Sequence, residues 1–120
     1  MGVIRAMIRY NKLIRDNYPQ IAAKRGQQIV YHEAHTDEEY WMKLKEKLQE
    51  EMNEFEKDGT MRSLADVLDV IEAMCVFKHI DLKELDVVRE NRRIDLGKFE
   101  RRLVLEESEK EVGRTQAQGI

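Results

Sequence analysis

Glu50-Glu51-Met52-Asn53-Glu54-Phe55-Glu56-Lys57-Asp58-Gly59-Thr60-Met61-Arg62-Ser63-Leu64-Ala65-Asp66-Val67-Leu68-Asp69 reads as the end of one helix, a short Gly-containing turn and the start of a second helix. Both helices carry carboxylates that intrude on surfaces otherwise expected to be apolar. Burying several bare carboxylates together costs many kcal/mol, so such groups must be paired with a cation or neutralised. The arrangement points to a divalent metal and to phosphate chemistry.

Outward from this stretch the chain reads as helical. Thr36 is a capping residue, and Glu39 three positions on completes the reciprocal pattern of a capping box. Trp41, Leu44, Leu48, Met52 and Phe55 then recur at threes and fours until Asp58-Gly59 stops the helix. The next helix, over about 61–79, carries Leu64, Val67, Leu68, Val70, Ile71, Met74, Val76 and Phe77 around much of its circumference, as a central helix does. Asp81 with Glu84 starts another, running through Leu82, Leu85 and Val88 towards Gly97. Asp16-Asn17-Tyr18-Pro19 opens a shorter helix that ends at Gly26. Residues 28–32, rich in β-branched and aromatic side chains, favour extended structure and are expected to pair with 103–105; a short strand over 4–9 is a further candidate.

The expected fold is therefore all-α, a bundle of about four helices with an antiparallel metal-binding pair and a small β appendage. One domain is expected over residues 1–110, followed by a charged, then Gly- and Gln-rich flexible tail over 111–120. The apolar circumference of the central helix exceeds what one short bundle covers, which points to a homodimer or homotetramer.

At 100° per residue the carboxylates separate by face. Glu51 falls inside the arc of Tyr40, Leu44, Met52 and Phe55, Glu54 falls at its edge, and Glu50 points away. On the second helix Asp66 and Asp69 lie one turn apart on one side, with Ser63 one turn earlier. Across an antiparallel pair these two sets face each other, and all-oxygen ligands suit Mg²⁺ or Mn²⁺ rather than zinc. Glu and Lys on highly charged helices ordinarily form solvated faces, and for Glu50 and Glu56 that reading is sufficient on spacing alone.

Size and composition bound the alternatives. The 120 residues carry 38% charged side chains and a net charge of -3, a mixed surface rather than a basic nucleic-acid footprint. Cys75 is alone within an apolar run, which excludes a disulfide framework and reads as core packing. No apolar run has the length of a membrane span, and the N-terminal residues lack a secretory signal, so a cytoplasmic protein is expected. His32, His35 and His79 lack the mutual spacing of a zinc site and read as surface or capping residues. Tyr40 and Trp41 have the spacing of core or subunit-interface residues, and there is no Gly-rich phosphate loop.

Glu50-Glu51-x-x-Glu54 followed by Leu64-Ala65-Asp66-Val67-Leu68 resembles the metal-binding signature of the MazG-like all-α nucleoside triphosphate pyrophosphohydrolases. Tyr10-Asn11-Lys12-Leu13-Ile14-Arg15-Asp16, Pro19, Gly97-x-Phe99-Glu100 and Leu105-Glu106-Glu107 are similar to the phosphoribosyl-ATP pyrophosphohydrolase-like branch of that superfamily. The resemblance covers nearly the whole chain. It implies a helical dimer or tetramer that cleaves the α–β phosphate bond of a nucleotide with Mg²⁺, releasing monophosphate and pyrophosphate. It also implies Glu51, Glu54 and Asp66 as metal ligands and Glu50 as the residue that orients or activates water.

One position departs from the superfamily pattern. Ser63 stands where the second motif has a glutamate, and Asp69, one turn beyond Asp66, is the proposed substitute ligand. The chemistry further calls for a carboxylate base, Glu50 or Glu54, and for cations on the phosphates. Lys12 and Arg15 come from the N-terminal motif, and Arg92, Arg93 and Lys98 lie near the end of the last helix, where basic residues also complement the helix dipole. Three activities follow: a house-cleaning nucleotide pyrophosphohydrolase, the phosphoribosyl-ATP hydrolase of histidine biosynthesis, or a non-catalytic nucleotide-binding or assembly module.

Overall fold

A computed structural model of the chain describes residues 6–110. It is all-helical, with α1 (Tyr18–Lys24), α2 (Asp37–Asp58), α3 (Met61–Phe77) and α4 (Leu82–Leu96). The described residues divide into two compact units, one up to His79 and one from Ile80 onward. The second unit contributes α4 and the irregular chain that follows it.

Each helix begins and ends for a local reason. Pro19 sits in the first turn of α1, where its missing N–H costs nothing. The Thr36 hydroxyl accepts the Glu39 N–H at the start of α2. The reciprocal arm of the expected capping box is displaced by one residue, because the Glu39 carboxylate accepts the N–H of His35 rather than that of Thr36. Gly59, at φ 60°, ends α2 in the left-handed region that glycine enters without a Cβ penalty. Thr60 caps α3, and the Asp81 carboxylate caps α4 by accepting from the N–H groups of Lys83 and Glu84.

α2 and α3 are packed against each other across this two-residue connection. At the far end, Tyr40 and Trp41 from the first turns of α2 meet Phe77 in the last turn of α3. Trp41 stacks on Phe77 with centroids 5.3 Å apart, and Tyr40 meets the same ring edge-on at 5.6 Å. The Lys78 ammonium lies 4.4 Å above the Trp41 ring, a cation–π contact that covers the aromatic cluster. Between the two ends lies a small core. Leu44 of α2 is fully buried, Ser63, Val67, Val70 and Cys75 of α3 are buried, and α1 contributes Ala22. The arrangement gives α3 most of the buried side chains, as its composition leads one to expect.

One expectation is corrected. No β appendage is present among the described residues, since 28–32 and 103–105 are irregular. Val30 is 87% exposed and Val104 85% exposed. Extended propensity is realised only where a partner strand takes up the backbone groups and one face is covered. Of the candidate strand over 4–9, residues 6–9 are likewise irregular, and residues 4 and 5 lie outside the described residues, as does the expected tail over 111–120.

α3 is enclosed over only part of its circumference. Leu64, Leu68 and Ile71, spaced as one helical stripe, are 41%, 58% and 38% exposed. By helical spacing this stripe adjoins the Ser63–Val67–Val70 stripe on one side, while Asp66 and Asp69 occupy the opposite side of the helix. α3 therefore presents a buried face, an uncovered apolar face and an acidic face.

Candidate functional site

The acidic faces of α2 and α3 are reached by the irregular segment that precedes α1. The Lys43 ammonium donates to the carbonyl oxygen of Asn11 at 2.6 Å. One residue on, Lys12 Nζ meets Glu50 Oε1 of α2 at 2.8 Å. Three residues later a single guanidinium nitrogen of Arg15 reaches both acids of α3, Asp66 Oδ1 at 2.7 Å and Asp69 Oδ2 at 2.8 Å. The segment is thus fastened to both helices by charge-assisted bonds, which are shorter and stronger than neutral ones. Asn11, at φ 49°, takes the left-handed conformation in this strap, one that asparagine tolerates better than most residues.

Within α2 the carboxylates have different surroundings. Glu51 lies on the inward stripe, with its side chain 13% exposed, and pairs with Lys47 Nζ at 3.2 Å. Lys47, itself 16% exposed, also reaches Glu50 Oε2 at 3.3 Å. A half-buried carboxylate of this kind needs such a cation, because leaving it unpaired carries the desolvation penalty in full. Glu50, assigned by rotation to the outward side, is half-buried between Lys12 and Lys47. Glu54 is exposed and faces Lys57 at 3.7 Å.

These contacts perturb protonation in a consistent direction. Burial pushes the Glu50 carboxyl up, but the hydrogen bond from Lys12 and the charges of Lys47 and Lys12 outweigh it and hold the group below its usual range. The Lys12 ammonium is raised in return, chiefly by its bond to Glu50. Arg15 is raised by its bonds to Asp69 and Asp66. All the charged forms are therefore favoured at neutral pH.

Ser63 is buried and directed towards Asp58. Its hydroxyl donates to Asp58 Oδ2 at 2.7 Å, and Asp58 Oδ1 accepts the Thr60 N–H at 3.0 Å. These bonds, with that of the Thr60 backbone leading, lower the Asp58 carboxyl. The side chain of Ser63 thus ties the end of α2 to the start of α3.

The sequence-designated residues do not form one network. Lys12 pairs with Glu50, which Lys47 joins to Glu51; Arg15 pairs with Asp66 and Asp69; Glu54 stands apart, facing Lys57. Arg92, Arg93 and Lys98 belong to the second unit, where Arg93 pairs with Glu90 on α4 and Lys98 Nζ lies 3.6 Å from Glu100. Lys47 escaped the sequence reading, although its spacing four residues before Glu51 was available as a signal.

A different constellation also went unrecognised. Among the described residues, the one group of three metal-capable side chains whose donor atoms lie within 4.8 Å of one another is His32, His35 and Glu39. No three of the carboxylates from Glu50 to Asp69 converge to that degree; Arg15, Lys12 and Lys47 stand among them instead.

No family model, no curated protein and no solved structure matches this chain. None of the helices among the described residues is long and apolar enough to cross a membrane.

Proposed function

We propose that the chain is a nucleotide pyrophosphohydrolase that cleaves the α–β phosphate bond of a nucleoside triphosphate, giving monophosphate and pyrophosphate. One observation carries the reading. Lys12 pairs with Glu50 on α2 and Arg15 with Asp66 and Asp69 on α3, so the N-terminal segment touches each of the two helical stretches that resemble the superfamily.

The donor set, carboxylate oxygens without imidazole or thiolate, suits Mg²⁺ or Mn²⁺. Glu51, Glu54, Asp66 and Asp69 would hold the ion on an antiparallel α2–α3 pair, and it would supply polarised phosphoryl oxygens and a more acidic water. In cleavage a new P–O bond forms to the water oxygen, the anhydride P–O bond breaks, and the bridging electron pair leaves with one product. Glu50 or Glu54 accepts the water's proton. Lys12 and Arg15 leave their carboxylates to grip the phosphates, exchanging one set of anionic oxygens for another. A cytoplasmic homo-oligomer formed through the uncovered apolar face of α3 completes the proposal.

A second reading is favoured by the commitment of Ser63 to Asp58 and by the cation already beside each central acid. In it, the chain is a nucleotide-binding or assembly module without hydrolysis. Pyrophosphate release from a panel of canonical and modified triphosphates and phosphoribosyl-ATP decides between them. Release identifies the enzyme and orders its substrates; preference for phosphoribosyl-ATP would assign it to histidine biosynthesis, and nucleotide binding without release would support the module.

A further inference from the structure

His32 and His35 lie on the loop before α2, and Glu39 lies in its first turn. Thr36, the cap between them, turns the chain so that the loop runs back over that turn. The two imidazole rings stack with centroids 4.6 Å apart and planes 6° from parallel. His32 Nε2 is 3.1 Å from Glu39 Oε2, while Glu39 Oε1 accepts the His35 N–H at 2.7 Å. One carboxylate oxygen is therefore anchored by the backbone, and the other is directed towards the imidazoles.

We propose that His32, His35 and Glu39 form a binding site for a borderline divalent cation of the Zn²⁺ class, separate from the acidic cluster of α2 and α3. Two imidazoles and one carboxylate are a donor set that suits Zn²⁺, Ni²⁺ or Cu²⁺ and not Mg²⁺. Bond lengths of about 2.0–2.1 Å to a tetrahedral ion place its ligand atoms roughly 3.3 Å apart. The His32–Glu39 separation of 3.1 Å already has that size; the full set lies within 4.8 Å, and the exposed imidazoles would turn out of their stack to close on one ion. The His35 N–H bond fixes the Glu39 carboxylate from behind, as the outer partners of metal ligands do. Three protein donors leave a fourth position for water or an exogenous ligand. The bound ion fastens the loop to the start of α2.

This inference does not rest on the pyrophosphohydrolase reading, and its test excludes the acidic cluster. Zn²⁺ is titrated calorimetrically into the full chain in excess Mg²⁺, which saturates hard oxygen sites, and the Tm is recorded with and without Zn²⁺. One equivalent is expected to bind and to raise the Tm. His32→Ala and His35→Ala should each weaken that binding at least tenfold and remove the Tm shift, whereas His79→Ala should leave both unchanged. Both loop variants keep Thr36, Glu39 and the His35 backbone N–H, so the helix cap remains and circular dichroism should match the native chain. Zn²⁺ binding that survives in the two loop variants, or a native chain that takes up no Zn²⁺, would overturn the assignment.

Discussion

The Ser63 hydroxyl donates to Asp58 across the turn between α2 and α3, at 2.7 Å. This bond gives Ser63 a structural task, since it joins the last residue of one helix to the first turn of the next. Ser63→Ala should destabilise the protein by about 1 kcal/mol, the usual range for a lost hydrogen bond. Pyrophosphate release by the folded fraction should stay within about threefold of native. Denaturant unfolding alongside a release assay checks both, and a loss as deep as that of Asp66→Asn would instead place Ser63 in the chemistry.

Arg15 bridges Asp66 and Asp69 and therefore competes with any cation for their oxygens. Arg15→Met should tighten Mg²⁺ binding by about threefold to tenfold through removal of a nearby positive charge. If the proposed function holds, the same substitution should also raise KM for the nucleotide, because the phosphates would lose a cationic partner. Metal titration and steady-state kinetics on one preparation read these opposite shifts; unchanged Mg²⁺ affinity would show that the guanidinium and the ion do not share a site.

Glu50 is held below and Lys12 above their ordinary values, which fixes the sign of the pH dependence. The contribution of Glu50 is present above its unfolded pKa and is lost as pH falls through its lower folded value; that of Lys12 is present below its unfolded pKa and lost as pH rises through its higher folded one. Both are intact near neutrality. Lys12 is exposed enough that the pair is worth less than about 1 kcal/mol. Urea unfolding from about pH 3 to 7 should show a shallower acid decline in Lys12→Met than in the native chain. Superimposable curves would show that the pair contributes nothing.

Leu64, Leu68 and Ile71 form an apolar stripe on the side of α3 away from Asp66 and Asp69, so a partner can cover it without obstructing the acids. Sedimentation equilibrium should give a homo-oligomer for the native chain and a monomer of unchanged helicity for Leu68→Glu. A native chain that stays monomeric at tens of micromolar would remove the oligomer from the proposal.

The helices were legible because their signals are local. Asp81, Thr36, Pro19 and Gly59 act through bonds within a turn or through their own φ angle, and the 3.6-residue stripes place Leu44 and Val67 in the core. The strands were misread because the propensity of Ile29, Val30 and Tyr31 counts only when a distant segment pairs with them, and none does among the described residues. Faces computed from rotation placed Glu51 inward, yet assigned Glu50 to solvent, because the strap that brings Lys12 over it comes from 38 residues away. The same limit hid the meeting of His32 with Glu39, which depends on how Thr36 turns the chain rather than on any repeat.

The most direct test is pyrophosphate release from canonical and modified nucleoside triphosphates and phosphoribosyl-ATP with Mg²⁺ or Mn²⁺, comparing the native chain with Glu51→Gln and Asp66→Asn. Metal-dependent release that falls at least a hundredfold in both variants, with their folds retained, is the expected result. A folded, metal-loaded native chain that releases no pyrophosphate from any of these substrates would contradict the assignment.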